Sequence, residues 1–170
     1  MHCKISGSNM LNQCIVFLLI LPFFSFASDS LPSIENSDCY IGGISLSSSY
    51  GDIVKILGTP VYENKHKSEI TGGEGVDIKY EGMTIYLLDN EAVKIEVTGG
   101  PYKMPNGIGI GSDQESVLKL LGKSELQEID GNICVFYIIK TPKGEYSDAF
   151  LRIEFTDSKV IRIVMIFPYV

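Results

Sequence analysis

Tryptophan is absent from the 170 residues, histidine occurs only twice, and Lys plus Arg number 14 against 21 Asp plus Glu. The formal net charge is −7, and no stretch gathers the few cations together. Nucleic acid and anionic membrane surfaces need such clusters to neutralise phosphates, so neither is an expected partner. Of the two histidines, His2 stands at the N-terminus and His66 lies between Lys65 and Lys67. Those flanking cations make His66 a poor metal ligand, and no G-x-S-x-G elbow accompanies it for a Ser-His-Asp arrangement. Gly107-Ile108-Gly109-Ile110-Gly111-Ser112 has neither the spacing of G-x-G-x-x-G nor the Gly-Lys-Ser/Thr of a phosphate loop. The expectation is a protein that is not an enzyme, with no cofactor and no metal. With 45% hydrophobic and 21% charged residues, long disorder is excluded as well.

Also missing is a hydrophobic run long enough to cross a bilayer. Ile15 to Phe24 is apolar over about ten residues, where a spanning helix needs about 20. Lys4 precedes the run, Ser25-Phe26-Ala27 places small residues at the −3 and −1 positions of a signal-peptidase site, and Ser28-Asp29-Ser30 turns polar. Residues 1–27 therefore read as a signal peptide, and the product as periplasmic or secreted with no stable membrane span after cleavage near Ala27. The remaining 28–170 carry 13 basic and 21 acidic side chains, a charge of −8. Cleavage also removes Cys3 and Cys14, and no cysteine stands where lipid attachment would need one. Cys39 and Cys134 remain as one possible disulfide, favoured by an oxidising compartment. It would close a loop of about 95 residues, for which chain entropy gives roughly 4 to 5 kcal/mol. The other reading makes Cys134 a buried thiol and Cys39 a free one.

Self-comparison reveals order within the rest. Gly43-Ile44-Ser45-Leu46-Ser47-Ser48, running on to Ile53-Val54-Lys55-Ile56-Leu57-Gly58, returns 64 residues later as Gly107-Ile108-Gly109-Ile110-Gly111-Ser112 and Val117-Leu118-Lys119-Leu120-Leu121-Gly122. Six of these 16 positions are identical. At an offset of 68, Met83–Asp89 answers Leu151–Asp157, and Val93-Lys94-Ile95 answers Ile161-Arg162-Ile163. The pattern predicts a tandem repeat. An N-terminal segment (28–40) precedes unit one (41–100) and unit two (101–170).

Each unit opens with a short helix, marked by apolar residues at helical spacing, by capping at Ser49–Asp52 or Ser112–Glu115, and by terminal Gly58 or Gly122. Alternation then predicts strands at Val76–Glu81, Met83–Leu88, Ala92–Val97, Asn132–Lys140, Ala149–Thr156 and Lys159–Phe167, with Lys65–Gly75 as a polar loop. Asp89 and Asp157 are expected to form turns rather than to act as catalytic carboxylates. The fold class is α+β, each helix lying on one face of an antiparallel sheet and leaving the other face open.

Period-2 parity assigns Val76, Ile78, Tyr80, Met83, Ile85, Leu87, Val93, Ile95 and Val97 to the helix side of unit one, and Leu151, Ile153, Phe155, Ile161, Ile163 and Met165 to that of unit two. The open side receives Asp77, Lys79, Glu81, Tyr86, Leu88, Lys94, Glu96, Arg152, Glu154, Arg162, Val164 and Ile166. Tyr86 and Leu88 beside Lys94 and Glu96 have the make-up of a binding patch, with Arg152, Glu154 and Tyr137 or Phe136 as further candidates. The opposing reading has these residues covered by the other unit.

The motif Gly-Ile-x-[Leu/Ile]-x-Ser, a short helix ending in Leu-Gly, and a meander closing on Asp-x-x–Val-x-[Lys/Arg]-Ile resembles two related groups over residues 41–167. One is the BamE (SmpA/OmlA) family of envelope proteins, and the other is the beta-lactamase inhibitor protein fold of two tandem helix-plus-sheet units. BamE-type proteins are lipidated single units and the inhibitors hold disulfides within their units, so the chain departs from both. The resemblance implies an exported protein that binds other proteins on its open sheet. Combined with the acidic charge, it points to an inhibitor or immunity protein against a cationic envelope enzyme or toxin, with an envelope assembly or scaffold factor as the alternative.

Overall fold

The structure, a computed structural model, describes residues 31–68 and 71–168. The expected signal peptide, with Cys3 and Cys14, lies outside the described residues. In chain order the elements are β1 (Ser33–Ile34), α1 (Tyr50–Leu57), β2 (Tyr62–Lys67), β3 (Glu74–Tyr80), β4 (Met83–Leu88), β5 (Glu91–Val97), α2 (Gln114–Leu121), β6 (Gln127–Ile129), β7 (Asn132–Lys140), β8 (Tyr146–Thr156) and β9 (Lys159–Ile166). No helix among the described residues is long and apolar enough to cross a membrane.

The class is α+β as the sequence implies, but the sheet is larger than expected. All nine strands form one sheet in the order β1-β7-β8-β9-β5-β4-β3-β2, with β6 also on β7. Two meanders, β2–β5 and β6–β9, join where Lys94–Val97 pairs antiparallel with Ile166–Ile163. Left apart, β5 and β9 would each be a long apolar edge, and their pairing removes both.

The helices are short, and each fully buries one side chain, Ile53 in α1 and Val117 in α2. Eight residues do not hold a helix in water, so tertiary attachment must do so. Part of that attachment comes from the hairpin turns. Asp89 and Asn90 take φ of 48° and 70°, and Asp157 and Ser158 take 51° and 57°. These left-handed turns present the Asn90 carbonyl to Tyr50 N at 3.3 Å and the Ser158 carbonyl to Gln114 N at 2.9 Å. Ser47 N likewise donates to Ala92 O, and Gly111 N to Val160 O, each at 2.8 Å. Ser49 Oγ accepts from Asp52 N as its sequence position suggested. The Ser112 cap does not form. Asp113 is the N-cap without a side-chain cap bond, and Ser112 Oγ accepts from Gly109 N as Ser48 Oγ does from Ser45 N, both at 3.0 Å.

Three further expectations change. Tyr62–Lys67, read in part as loop, is an exposed strand paired with β3, because an edge strand with both faces wet carries no apolar alternation. Val93 and Ile161 do not face the helices. A register shift beside each places the fully buried Ala92 and the 1%-exposed Val160 there instead, since a bulge inverts the parity that strict alternation assumes. The expected disulfide is absent: Cys39 and Cys134 are both free and buried. Cys39 belongs to the main core, whereas Cys134 pairs in register with Glu154 on the opposite side of the sheet. The sheet between them rules out a bridge without backbone movement. Burial, reinforced by Asp38 and Glu35, pushes the Cys39 thiol up to about 12, so it stays protonated.

Alkylation of the unreduced chain in denaturant will therefore label both Cys39 and Cys134, and reductant will leave Tm unchanged. A Cys39–Cys134 linked peptide in the digest would contradict this.

Candidate protein-binding face

Registered strands set side chains in rows on the side of the sheet away from the helices. One row runs Phe136, Arg152, Val164, Glu96, Thr84, Lys79 across β7, β8, β9, β5, β4 and β3. Beside it run Ile138, Phe150, Ile166, Lys94, Tyr86, Asp77, and on the other flank Cys134, Glu154, Arg162. Most of these side chains are half-buried rather than exposed, because they lie along the sheet and touch one another.

The contacts form a chain of alternating charge. Lys94 Nζ lies 3.2 Å from Glu96 Oε2, and Glu96 Oε1 lies 2.9 Å from Arg162 NH2. Arg162 NH1 reaches Glu154 Oε1 at 3.4 Å, and Arg152 NH2 reaches the same oxygen at 2.9 Å. Beneath this chain Val164 is 1% exposed, yet it stands outside the main core, as does Cys134. The open side thus has a small buried layer of its own, roofed by ion pairs. Glu154 is itself only 6% exposed and serves as the junction for both arginines.

Burial alone would raise the Glu96 carboxyl, but hydrogen bonds from Arg162 and Lys94 outweigh it and hold the group below its ordinary value of 4.5. Burial, then the nearby Glu96 and Asp77 carboxylates, push the Tyr86 phenol up, so it remains a neutral donor. Lys94 Nζ also sits 4.6 Å from the centre of the Tyr86 ring, a cation–π contact that fixes both side chains. Arg152 Nε and Arg162 Nε are buried without a hydrogen-bond partner among the described residues.

Aromatic groups flank the charges. At one end Phe136 and Phe150 are tilted together with ring centres 6.2 Å apart. At the other, Tyr86, Leu88 and Val93 line a cleft of about 520 Å³ with His66 and Asp77. His66 is on β2 rather than in a loop, and its Nδ1 is 3.8 Å from Asp77 Oδ2.

Of the residues expected at a binding patch, Tyr86, Leu88, Lys94, Glu96, Arg152 and Glu154 share this side of the sheet. Tyr137 does not. It is fully buried on the helix side, and its hydroxyl donates to Gly122 O at 2.8 Å beyond the end of α2. Its neighbour Phe136 takes the open side instead. Sequence parity had already put Arg162 on this side without giving it a role, and the link it makes between Glu96 and Glu154 becomes visible only once β5 and β9 are paired. Phe150, one residue inside the expected strand, was legible by the same parity.

No protein-family model and no curated protein matches the chain. Among solved structures it is similar to an extracellular protein containing an SCP domain from Bacillus anthracis, at 14% identity over 73% of this chain and 44% of that one, with a TM-score of 0.46. It is also similar to a cysteine-rich secretory protein from Staphylococcus aureus, at 13% identity over 82% of this chain and 51% of the other, with a TM-score of 0.49. A third, from Streptococcus mutans and provisionally described as a beta-lactamase inhibitor protein, gives 13% identity over 69% and 82% of the two chains with a TM-score of 0.30. The chain thus spans about half the length of the first two. Likenesses this faint carry no function across to it.

Replacing Arg162 with Met should lower stability by about 1–3 kcal/mol, because Glu96 and Glu154 then lose a shared partner in a half-buried site. The effect should depend on pH. A carboxyl held low in the folded state contributes stability above its ordinary value, and that contribution is lost as pH falls through the lower folded value. The drop in Tm below about pH 4.5 should accordingly be shallower in Arg162→Met than in the parent, as thermal melts between pH 7 and 3 would show.

Proposed function

We propose that this chain is an exported, non-catalytic protein that binds another protein across its open sheet face and so blocks an envelope-acting enzyme or toxin. The observation that carries the reading is the set of charges already paired on that face, with Phe136 and Phe150 at one end and Tyr86 and Leu88 at the other. Groups held in place before docking lose little freedom on binding, and aromatic anchors around a fixed polar centre are the usual source of affinity. Attraction at a distance and contact at the face then have different origins. The charge of −8 over residues 28–170 would steer a cationic target, whereas the face alternates in sign and would set its register.

We also read the chain as two tandem units, 41–100 and 101–170. The supporting observation is the series of equivalent hydrogen bonds from the helix starts Tyr50 and Gln114 to the Asn90 and Ser158 carbonyls, and from Ser47 and Gly111 to the following hairpins.

Capture of envelope and periplasmic proteins on the purified chain tests the function. A hydrolase or toxin retained at equal stoichiometry and inhibited on binding is the expected outcome. Tyr86→Ala and Phe136→Ser should each weaken that complex about tenfold or more with unchanged circular dichroism. Recovery of outer-membrane assembly proteins, with no inhibited enzyme, would favour a scaffold role and overturn the inhibitor reading.

A further inference from the structure

The two edges of the sheet are finished differently. At the β7 end, β1 and β6 cover the edge with strands of two and three residues. At the other end β2 runs for six residues, each of them exposed, and no strand among the described residues lies beyond it. An edge of this length offers a row of unpaired N–H and C=O groups to another strand. Exposed apolar surface collects at the same place, with Val61 76% and Tyr62 51% exposed.

We propose that β2 pairs antiparallel with β2 of a second copy of this chain, about a two-fold axis through Asn64. The register follows from the ladder and from charge. Ser68 N donates to Gly73 O, so alternation turns the backbone groups of Lys67, Lys65 and Glu63 away from β3. With Asn64 on the axis, Glu63 lies opposite Lys65 of the second copy, and Lys65 lies opposite its Glu63. The outward groups of each such pair meet as a reciprocal pair of backbone hydrogen bonds. Moving the axis to Lys65 would set two lysines against each other, which cross-strand pairing disfavours.

Side-chain placement agrees with this register. Glu63 and Lys65 stand opposite Ile78 and Val76, on the helix side of β3. They are already within 3.3 Å of one another, and Tyr50 Oη donates to Glu63 Oε2 at 2.7 Å. The carboxylate is thus held at the edge and has to shift little to share a second cation. On the other side Tyr62 would meet His66 of the second copy, covering part of its exposed ring. Because the axis runs through a residue, the helix sides of both copies stay on one side of the joined sheet. The two open faces then form one continuous surface.

A strand edge buries little area, so the dimer is weak. Sedimentation velocity on the purified chain from about 1 µM to about 1 mM should show a concentration-dependent monomer–dimer equilibrium. Lys65→Glu should raise the dissociation constant about tenfold or more. Glu63→Lys combined with Lys65→Glu should restore the dimer, since the swapped charges face each other again. Tm and circular dichroism of each variant separate loss of pairing from loss of fold, and Phe136→Ser on the open face should dimerise like the parent. A monomer at every concentration would overturn the proposal. So would dimerisation indifferent to Lys65→Glu, or a folded charge-swapped variant that fails to recover.

Discussion

Everything else in the molecule depends on the pairing of β5 with β9. It converts two meanders into one nine-stranded sheet, and it does so with strands that are apolar on the helix side, where Ile95 and Val97 meet Met165 and Ile163. Those four residues are fully buried in a core that draws on both meanders, so neither half keeps its core if the seam opens. The same seam assembles the polar side. Glu96 is on β5 and Arg162 on β9, and their 2.9 Å contact exists only because the strands are adjacent. One backbone register thus builds the core and the charged row together, and a slip by one residue would invert both.

The helices follow from the sheet rather than the reverse. Each has eight residues and one completely buried side chain, while Ile56 and Leu120 at equivalent turns remain about half exposed. Such helices stay folded because the hairpin turns accept hydrogen bonds from their first residues. That explains why Asp89-Asn90 and Asp157-Ser158 take left-handed conformations: the turn directs a carbonyl at the helix as well as reversing the chain. In the sequence these dipeptides read as turn formers, and the second role was invisible because it joins residues some 40 positions apart, such as Tyr50 and Asn90.

What the sequence made legible was whatever depends on local period. The strand at Met83–Leu88 shows in its alternation, that at Asn132–Lys140 in an apolar run bounded by two polar residues, and the two helices in their spacing and terminal glycines. Parity also put Tyr86, Lys94, Glu96, Arg152 and Glu154 on one side before any contact was known. It failed where the period breaks. Bulges exchanged Val93 for Ala92 and Ile161 for Val160, and β2 has no apolar face to announce it. Cys39 and Cys134 were paired by compartment logic, which is blind to a sheet lying between them. Tyr137 looked suited to a binding surface because tyrosine often is, but odd positions of β7 face the helices, so Phe136 faces out.

A row of ion pairs that links two halves is a different device from a hydrophobic seam. Exposed pairs of this kind contribute little to stability, but these roof Val164 and are themselves half-buried, so losing one partner strands another. Their value lies in specificity. Lys94, Glu96, Arg162, Glu154 and Arg152 can all be satisfied together only in the register that places Val164 beneath them. A β5–β9 pairing slipped by two residues would keep apolar residues on the helix side, but it would separate Glu96 from Arg162, the one ion pair that crosses this seam among the described residues. The polar side therefore selects which of several apolar pairings is adopted, and the selected pairing is the one that leaves a fixed, charge-alternating surface facing outward.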